Sequence, residues 1–217
     1  APGAPVSRTE RNGRAGWRVE GELTASLAQL AFALRDAGLV HSWRDEQLAV
    51  NDERGHRLAT VERGVVRPLG ISTYAVHLTA TSPDGRYWLQ QRSLTKPNDP
   101  GLWDTLMGGM VPASDSLERA LGRETWEEAG LRMDELQGLQ YGGRISTRRP
   151  AGDGEDAGYV VEQIDWFSCV LPAGVVPANQ DAEVAQFALM DAARLVPMLL
   201  RGEFTTEAAL VLAAAGL

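Results

Sequence analysis

Gly108-Gly109-Met110-Val111-Pro112-Ala113-Ser114-Asp115-Ser116-Leu117-Glu118-Arg119-Ala120-Leu121-Gly122-Arg123-Glu124-Thr125-Trp126-Glu127-Glu128-Ala129-Gly130-Leu131 decides the fold. It reads as a glycine-pair loop, one helix and a glycine stop. Ser114 or Asp115 is placed as the N-cap, where an acid also suits the positive end of the helix dipole. Gly130 is placed to end the helix in the left-handed conformation. Leu117, Ala120 and Leu121 form an apolar stripe at helical spacing. Carried forward, the stripe runs into Glu124 and Glu128, with Glu127 beside them. These carboxylates converge on one side of the helix and repel one another. In a partly buried place they must protonate, pair or bind a cation. Arg123 is set to neutralise Glu127, four residues on. The remaining charge suits a hard cation, Mg2+ or Mn2+, completed by water and substrate phosphate. A solvated face of ordinary Glu/Arg pairs is the plain alternative. The Gly-Gly loop upstream and the closing Glu-Glu-x-Gly weigh against it.

With those residues in register, the segment resembles the Nudix box of Nudix hydrolases, with Gly109 as first glycine and Arg123, Glu124, Glu127, Glu128, Gly130 and Leu131 following. Asp115 stands where the family usually has Glu, one methylene longer, which supports the site by a salt bridge or hydrogen bond. Thr125 replaces a usual aliphatic residue and is expected to pack with its hydroxyl bonded back into the helix. The resemblance implies an α/β fold: a Nudix α/β/α sandwich with a mixed β-sheet, preceded by a small α+β N-terminal domain. It also implies Glu124 and Glu128 as direct metal ligands. Glu127 becomes a third ligand or water-mediated partner, the Gly108 carbonyl a further one, and Arg123 the group orienting the carboxylates. The family often takes its general base from a later loop, and Glu183 is the candidate, with Asp181 behind it.

At 217 residues the chain can bury a large core, divided into a small domain, 1–70, and a large one, 71–217. The net charge of −8 argues against a nucleic-acid surface. Cys169 is the one cysteine, which rules out an internal disulfide and fits a reducing compartment; its alternating context reads as a buried hydrophobe. No stretch reads as a membrane span or signal sequence, so the expected location is cytoplasmic. The start Ala1-Pro2-Gly3 lacks methionine and is read as processed or trimmed.

Residues 1 to about 20 read as an irregular arm. A helix is expected over Thr24–Ala37, then strands over Val40–Leu48 and Arg57–Val66 around the turn Asn51–Gly55. Arg67-Pro68-Leu69-Gly70 marks the boundary. Beyond it, Thr73–Thr81 and Tyr87–Gln91 form a hairpin about Ser82-Pro83-Asp84-Gly85. A proline-punctuated loop then carries Arg92 and Lys96 towards the box, where they are placed to hold phosphate oxygens or to pair with Asp99 and Asp104. After the box, strands are expected at Tyr141–Ser146, Tyr159–Leu171 and Ala185–Met190, and helices at Asp191–Leu200 and Thr205–Ala214. The charged loop Thr147–Gly158 could cover a substrate, with Arg148 and Arg149 on phosphate or in solvent.

A second set of residues extends the resemblance: Trp88-Leu89-Gln90-Gln91-Arg92-Ser93, Lys96, Pro100-Gly101, Trp103-Asp104, Asp181-Ala182-Glu183-Val184 and Gly202-Glu203-Phe204. Together they look like a Nudix subfamily with an extra N-terminal domain, related to thiamine-pyrophosphokinase-linked Nudix proteins. That likeness implies metal-dependent hydrolysis of a small-molecule diphosphate, with thiamine diphosphate or its damaged analogues favoured. Alternatives are an ADP-ribose or nucleotide-sugar pyrophosphatase and a non-catalytic diphosphate sensor. Isopentenyl diphosphate isomerase, a fold relative, is disfavoured because its cysteine base belongs before the box. The N-terminal unit is left with three roles: walling the pocket, making a homodimer contact, or stabilising the fold.

Overall fold

The computed structural model describes residues 5–40, 42–151 and 158–217. These described residues divide between two compact units, one lying within 1–73, 112–114 and 147–162, the other within 74–111, 115–146 and 163–217.

The first unit begins with a hairpin, not an irregular arm. β1 (Val6–Arg11) pairs antiparallel with β2 (Arg14–Val19), Arg11 facing Arg14. Asn12 and Gly13 close it with φ of 53° and 73°. A two-residue Asn-Gly turn with both residues left-handed matches the twist of the flanking strands. The strands gave no alternating signal because nearly all their residues are exposed. Next comes α1 (Leu23–Asp36), capped by Glu22, whose carboxylate accepts from Thr24 N at 3.1 Å and Ala25 N at 2.8 Å. Leu27 and Ala31 bury its apolar face.

β3 (Gln47–Asn51) and β4 (Arg57–Glu62) form a second hairpin. The expected strand from Val40 starts late (His41 lies outside the described residues). Asp45 takes a left-handed φ of 54° and its carboxylate accepts from the Trp43 indole at 2.7 Å, which breaks the extended run. β4 ends short of Val66 because Glu62 accepts from Gly64 N at 3.1 Å and turns the chain. A short helix, α2 (Val66–Leu69), follows and stops at Gly70 with φ 61°.

β5 (Ser72–Thr81) is the central strand of a seven-stranded sheet. The others are β6 (Tyr87–Arg92), β7 (Trp103–Asp104), β8 (Met107–Met110), β9 (Gln137–Pro150), β10 (Tyr159–Val170) and β11 (Val184–Met190). The order is β11-β6-β5-β10-β9, with β7 paired to β6 and β8 to β5. β6 and β8 run antiparallel to β5. Along β5 and β10, Thr73 and Thr79 hydroxyls donate to Val161 and Phe167 carbonyls, a constant offset of 88 residues. A constant offset is the register of parallel strands, so the sheet is mixed.

Alternation along β5 assigns the two faces. Val76, Leu78 and Ala80 pack with Ala120, Leu121 and Ala129 of α3 (Leu117–Ala129). Ala75 turns the other way, to Ile164, Trp166 and Val211 of α5 (Thr206–Ala214). On that second face α4 (Ala192–Leu200) and α5 also cover Leu89 and Met190. The helix-sheet-helix sandwich expected from the resemblance is therefore present. Cys169 is buried in the α3-side core, and burial pushes its thiol up to about 12. Of the expected loop Thr147–Gly158, Thr147–Pro150 completes β9, and residues 152–157 lie outside the described residues. Among the described residues no helix is long and apolar enough to cross a membrane.

Candidate active site

α3 begins one or two residues later than expected. Ser116 is its N-cap, with Oγ accepting from Arg119 N at 3.3 Å. Neither Ser114 nor Asp115 takes that place. Asp115 is occupied instead by Arg123, whose Nε lies 3.1 Å from Oδ2, so the shorter acid still reaches. At the other end Gly130, φ 63°, donates to the Trp126 carbonyl at 2.8 Å. Thr125 is buried as an aliphatic residue would be, but its hydroxyl has no partner among the described residues and is not bonded back into the helix.

Arg123 draws three acids together. Besides Asp115, its Nη1 lies 2.8 Å from Glu127 and 3.0 Å from Glu124. Glu124 is pressed against Gly109 so closely that a Cβ there would lie 2.2 Å from its carboxyl carbon. Glu128 goes further in, at 2% exposure. Its Oε2 accepts from Gln90 Nε2 at 2.7 Å and from Gly108 N at 3.0 Å. Its Oε1 faces Lys96 Nζ at 3.9 Å. Lys96 also binds Glu183 directly, bringing the loop before the box to the loop before β11. That second loop is shaped by Asp181, whose carboxylate accepts from Glu183 N at 2.8 Å, and pinned by Ser93 N to the Glu183 carbonyl at 2.8 Å.

Burial dominates the acidity of Glu128. Desolvation raises its pKa, the Lys96 charge opposes, Glu124 adds to the rise, and the Gly108 and Gln90 hydrogen bonds lower it; the net is about 8 against an ordinary 4.5. The folded form therefore binds this proton more tightly than the unfolded chain. With chelator present, the stabilisation is complete below pH 4.5 and is lost as pH rises towards about 8. Glu128→Gln is expected to flatten that fall. Thermal melts across this range with equal slopes for both proteins would contradict it.

Arg92 is nearly buried and paired: Nη1 lies 3.4 Å from Asp104 Oδ2, and Nη2 donates to the Asn98 carbonyl at 3.1 Å. Asp104 also stands 3.7 Å from His77, whose Nδ1 meets the Thr105 hydroxyl at 3.0 Å. Burial lowers the His77 pKa, so the ring is neutral and serves as a hydrogen-bonding plate. It lies opposite Gly108 across the β5–β8 pair, and a Cβ on Gly108 would sit 2.6 Å from the imidazole. Arg148 belongs to the first unit, where its guanidinium lies 5.3 Å from the Tyr159 ring centroid.

Sequence reading singled out neither His77 nor Gln90 for a role. The signal for Gln90 was available: on β6, Trp88 and Gln90 share the α3 side while Leu89 packs on the other. A glutamine at an inward position of a strand needs a polar partner. Here the partner is Glu128.

Among the described residues no three His, Cys, Asp or Glu side chains stand close enough to hold a metal ion by themselves. The donors nevertheless suit a hard divalent ion that is held partly by protein. Glu124 occupies the space that only a bare Gly109 leaves, and, among the described residues, Glu128 is a buried acid with one oxygen free of hydrogen bonds and the Gln90 side-chain oxygen is buried without a partner. Water and phosphate oxygens complete such a shell.

Residues 72–212 match the NUDIX domain family. The chain belongs to the NUDIX domain family. Nudix hydrolase 20 (chloroplastic) of Arabidopsis thaliana is 28% identical over 185 residues, covering 83% of this chain and 48% of the plant protein. An uncharacterised protein of Saccharomyces cerevisiae is 26% identical over 203 residues, 88% of this chain and 59% of its own length. The chain thus spans about half the length of the curated relatives it matches. In fold it is similar to the crystal structure of DR0079 from Deinococcus radiodurans, with TM-score 0.62 and 19% identity, covering 78% of this chain and 99% of that one. Nudix hydrolases generally use divalent metal ions.

Proposed function

We propose that this Nudix chain hydrolyses a diphosphate linked to an organic moiety, with Mg2+ or Mn2+, and that its favoured substrate is thiamine diphosphate or a damaged analogue. The observation that supports the chemistry most is the meeting of α3 with two loops: Glu124 and Glu128 one turn apart, and Lys96 between Glu128 and Glu183. Residues 71–217 are the catalytic domain in this reading, and 1–70 a small separate one.

The chemistry a divalent ion would supply when bound is activation of water and neutralisation of phosphate charge. Glu124 and Glu128 would hold the ion, with Glu127 and the Gly108 carbonyl as further ligands. Arg123 fixes the three acids it touches, so their carboxylates need no rearrangement when substrate arrives. Lys96, with Arg92 as a further cation, would neutralise phosphate oxygens away from the attacked phosphorus. Glu183, with its carboxylate about half exposed, takes a proton from the attacking water as the new P–O bond forms. The bond from phosphorus to the bridging or ester oxygen then breaks, and that oxygen leaves with the remaining product.

The thiamine preference rests on the resemblance of the Trp88–Ser93, Lys96 and Asp181–Val184 segments to the subfamily named above. A substrate panel tests it. Phosphate release with Mg2+ is expected to be fastest from thiamine diphosphate or its oxo analogue. A preference for ADP-ribose or a nucleotide sugar would replace the substrate but keep the chemistry. Tight binding without turnover of any diphosphate would replace enzyme with sensor.

A further inference from the structure

The two oxygens of Glu128 have different neighbours. Oε2 takes both hydrogen bonds, from the Gln90 amide at 2.7 Å and the Gly108 N–H at 3.0 Å. Oε1 takes neither and faces the Lys96 ammonium at 3.9 Å. Gln90 is 1% exposed, and its amide cannot swing into solvent. The carboxylate is therefore clamped, with one oxygen on offer and a cation already beside it.

Building on the metal-dependent reading above, we propose that Glu128 is a one-oxygen ligand fixed by Gln90, and that Lys96 is a built-in cation competing with the divalent ion for that oxygen. With Oε1 occupied by an ion, the ammonium would keep its contact with Glu183 and be free of Glu128 to meet substrate phosphate. Lys96 is suited to this. It reaches from a loop on a flexible four-carbon stem, it has a second carboxylate already in contact, and its charge is a compact point that re-aims without loss. An arginine would hold its carboxylate through a planar fork and release it less readily. The consequence is that charge neutralisation by Lys96 and occupancy of the free Glu128 oxygen are coupled.

The sign of the competition follows from Coulomb's law. An ammonium repels a doubly charged ion at Oε1 about twice as strongly as it repels a proton there. Removing Lys96 therefore removes that repulsion and favours the ion.

The test is Mn2+ binding without substrate, read by loss of the free-ion electron paramagnetic resonance signal and by calorimetry, at pH 7.5. Lys96→Met is expected to tighten Mn2+ binding roughly fivefold or more. Lys96→Arg should bind no more tightly than the parent protein. Gln90→Leu, which leaves Oε2 held by the Gly108 N–H alone, should weaken binding roughly tenfold or more, as loss of a residue that orients a metal ligand does. Circular dichroism and thermal melts confirm that each variant is folded, and Lys96→Gln replaces Lys96→Met should the latter melt early. Unchanged or weaker Mn2+ affinity on neutralising Lys96 overturns the competition, and unchanged affinity in Gln90→Leu overturns the clamp. Glu124→Gln and Glu128→Gln serve as references. If they also keep parental Mn2+ affinity, the metal site itself is wrong; if they lose it while Lys96→Met is unchanged, only this inference fails.

Discussion

Glu124→Gln is expected to lower kcat by about a thousandfold or more, equivalent to about 4 kcal/mol of transition-state stabilisation, while the melting temperature moves little. Glutamine has the same shape and can still accept from Arg123, which lies 3.0 Å from Glu124 and keeps Asp115 and Glu127 as partners. What disappears is the charge that the ion and the phosphates would share. Glu128→Gln should lose turnover to a similar degree for the same reason, but with a different stability signature. It removes a buried acid whose ionisation is opposed by its surroundings, so above neutral pH in chelator the variant should melt higher than the parent. Functional residues that cost stability leave this pairing of lost activity and gained stability. Steady-state kinetics with Mg2+ and melts of the same samples decide the matter. Turnover within tenfold of the parent in either variant removes these glutamates from the chemistry.

Gly109→Ala should separate site geometry from fold. The added Cβ would lie 2.2 Å from Glu124 Cδ, 2.4 Å from Oε1 and 2.6 Å from Cγ. All three are atoms at the far end of a flexible side chain, and Gly109 does not need a positive φ. The carboxylate therefore gives way and the strand stays. A displacement of about 1 Å at a reacting centre costs roughly a hundredfold, so kcat/KM should fall by about that factor with little change in melting temperature. Gly108→Ala is the contrasting case. Its Cβ would strike the His77 ring at 2.6, 2.9 and 3.0 Å, and that ring is buried and hydrogen-bonded to Thr105. Nothing there swings aside, so the cost should appear as about 1–3 kcal/mol of stability. Equal stability losses in the two variants would show that Glu124 is not the part that yields.

The helix of the box was legible because its causes are local. An apolar stripe, a cap and a terminal glycine all lie within a few residues, and Gly130 ends α3 as the spacing requires. Arg123–Glu127 was legible for the same reason, being one helical turn apart. The exact cap was not, because Asp115 is drawn away by Arg123, a competition that sequence does not rank. The first hairpin was missed although Asn12-Gly13 announced it. Its strands are exposed, so hydrophobic alternation, which reports a buried face, had nothing to report.

By itself, then, the sequence determined the character of the chain's parts: one helix with Glu124, Glu127 and Glu128 on one side, a glycine pair before it, strands with one apolar face, and resemblance to a family with that signature. Tertiary structure decided the pairings. Lys96 with Glu128 and Glu183, Gln90 with Glu128, and His77 beneath Gly108 join residues 31 to 87 positions apart. Side chains so far apart in the chain meet only through the register of strands and the path of loops, and each meeting depends on burial that the whole core supplies. Charge and spacing can nominate an acid; only packing tells which of its oxygens remains free.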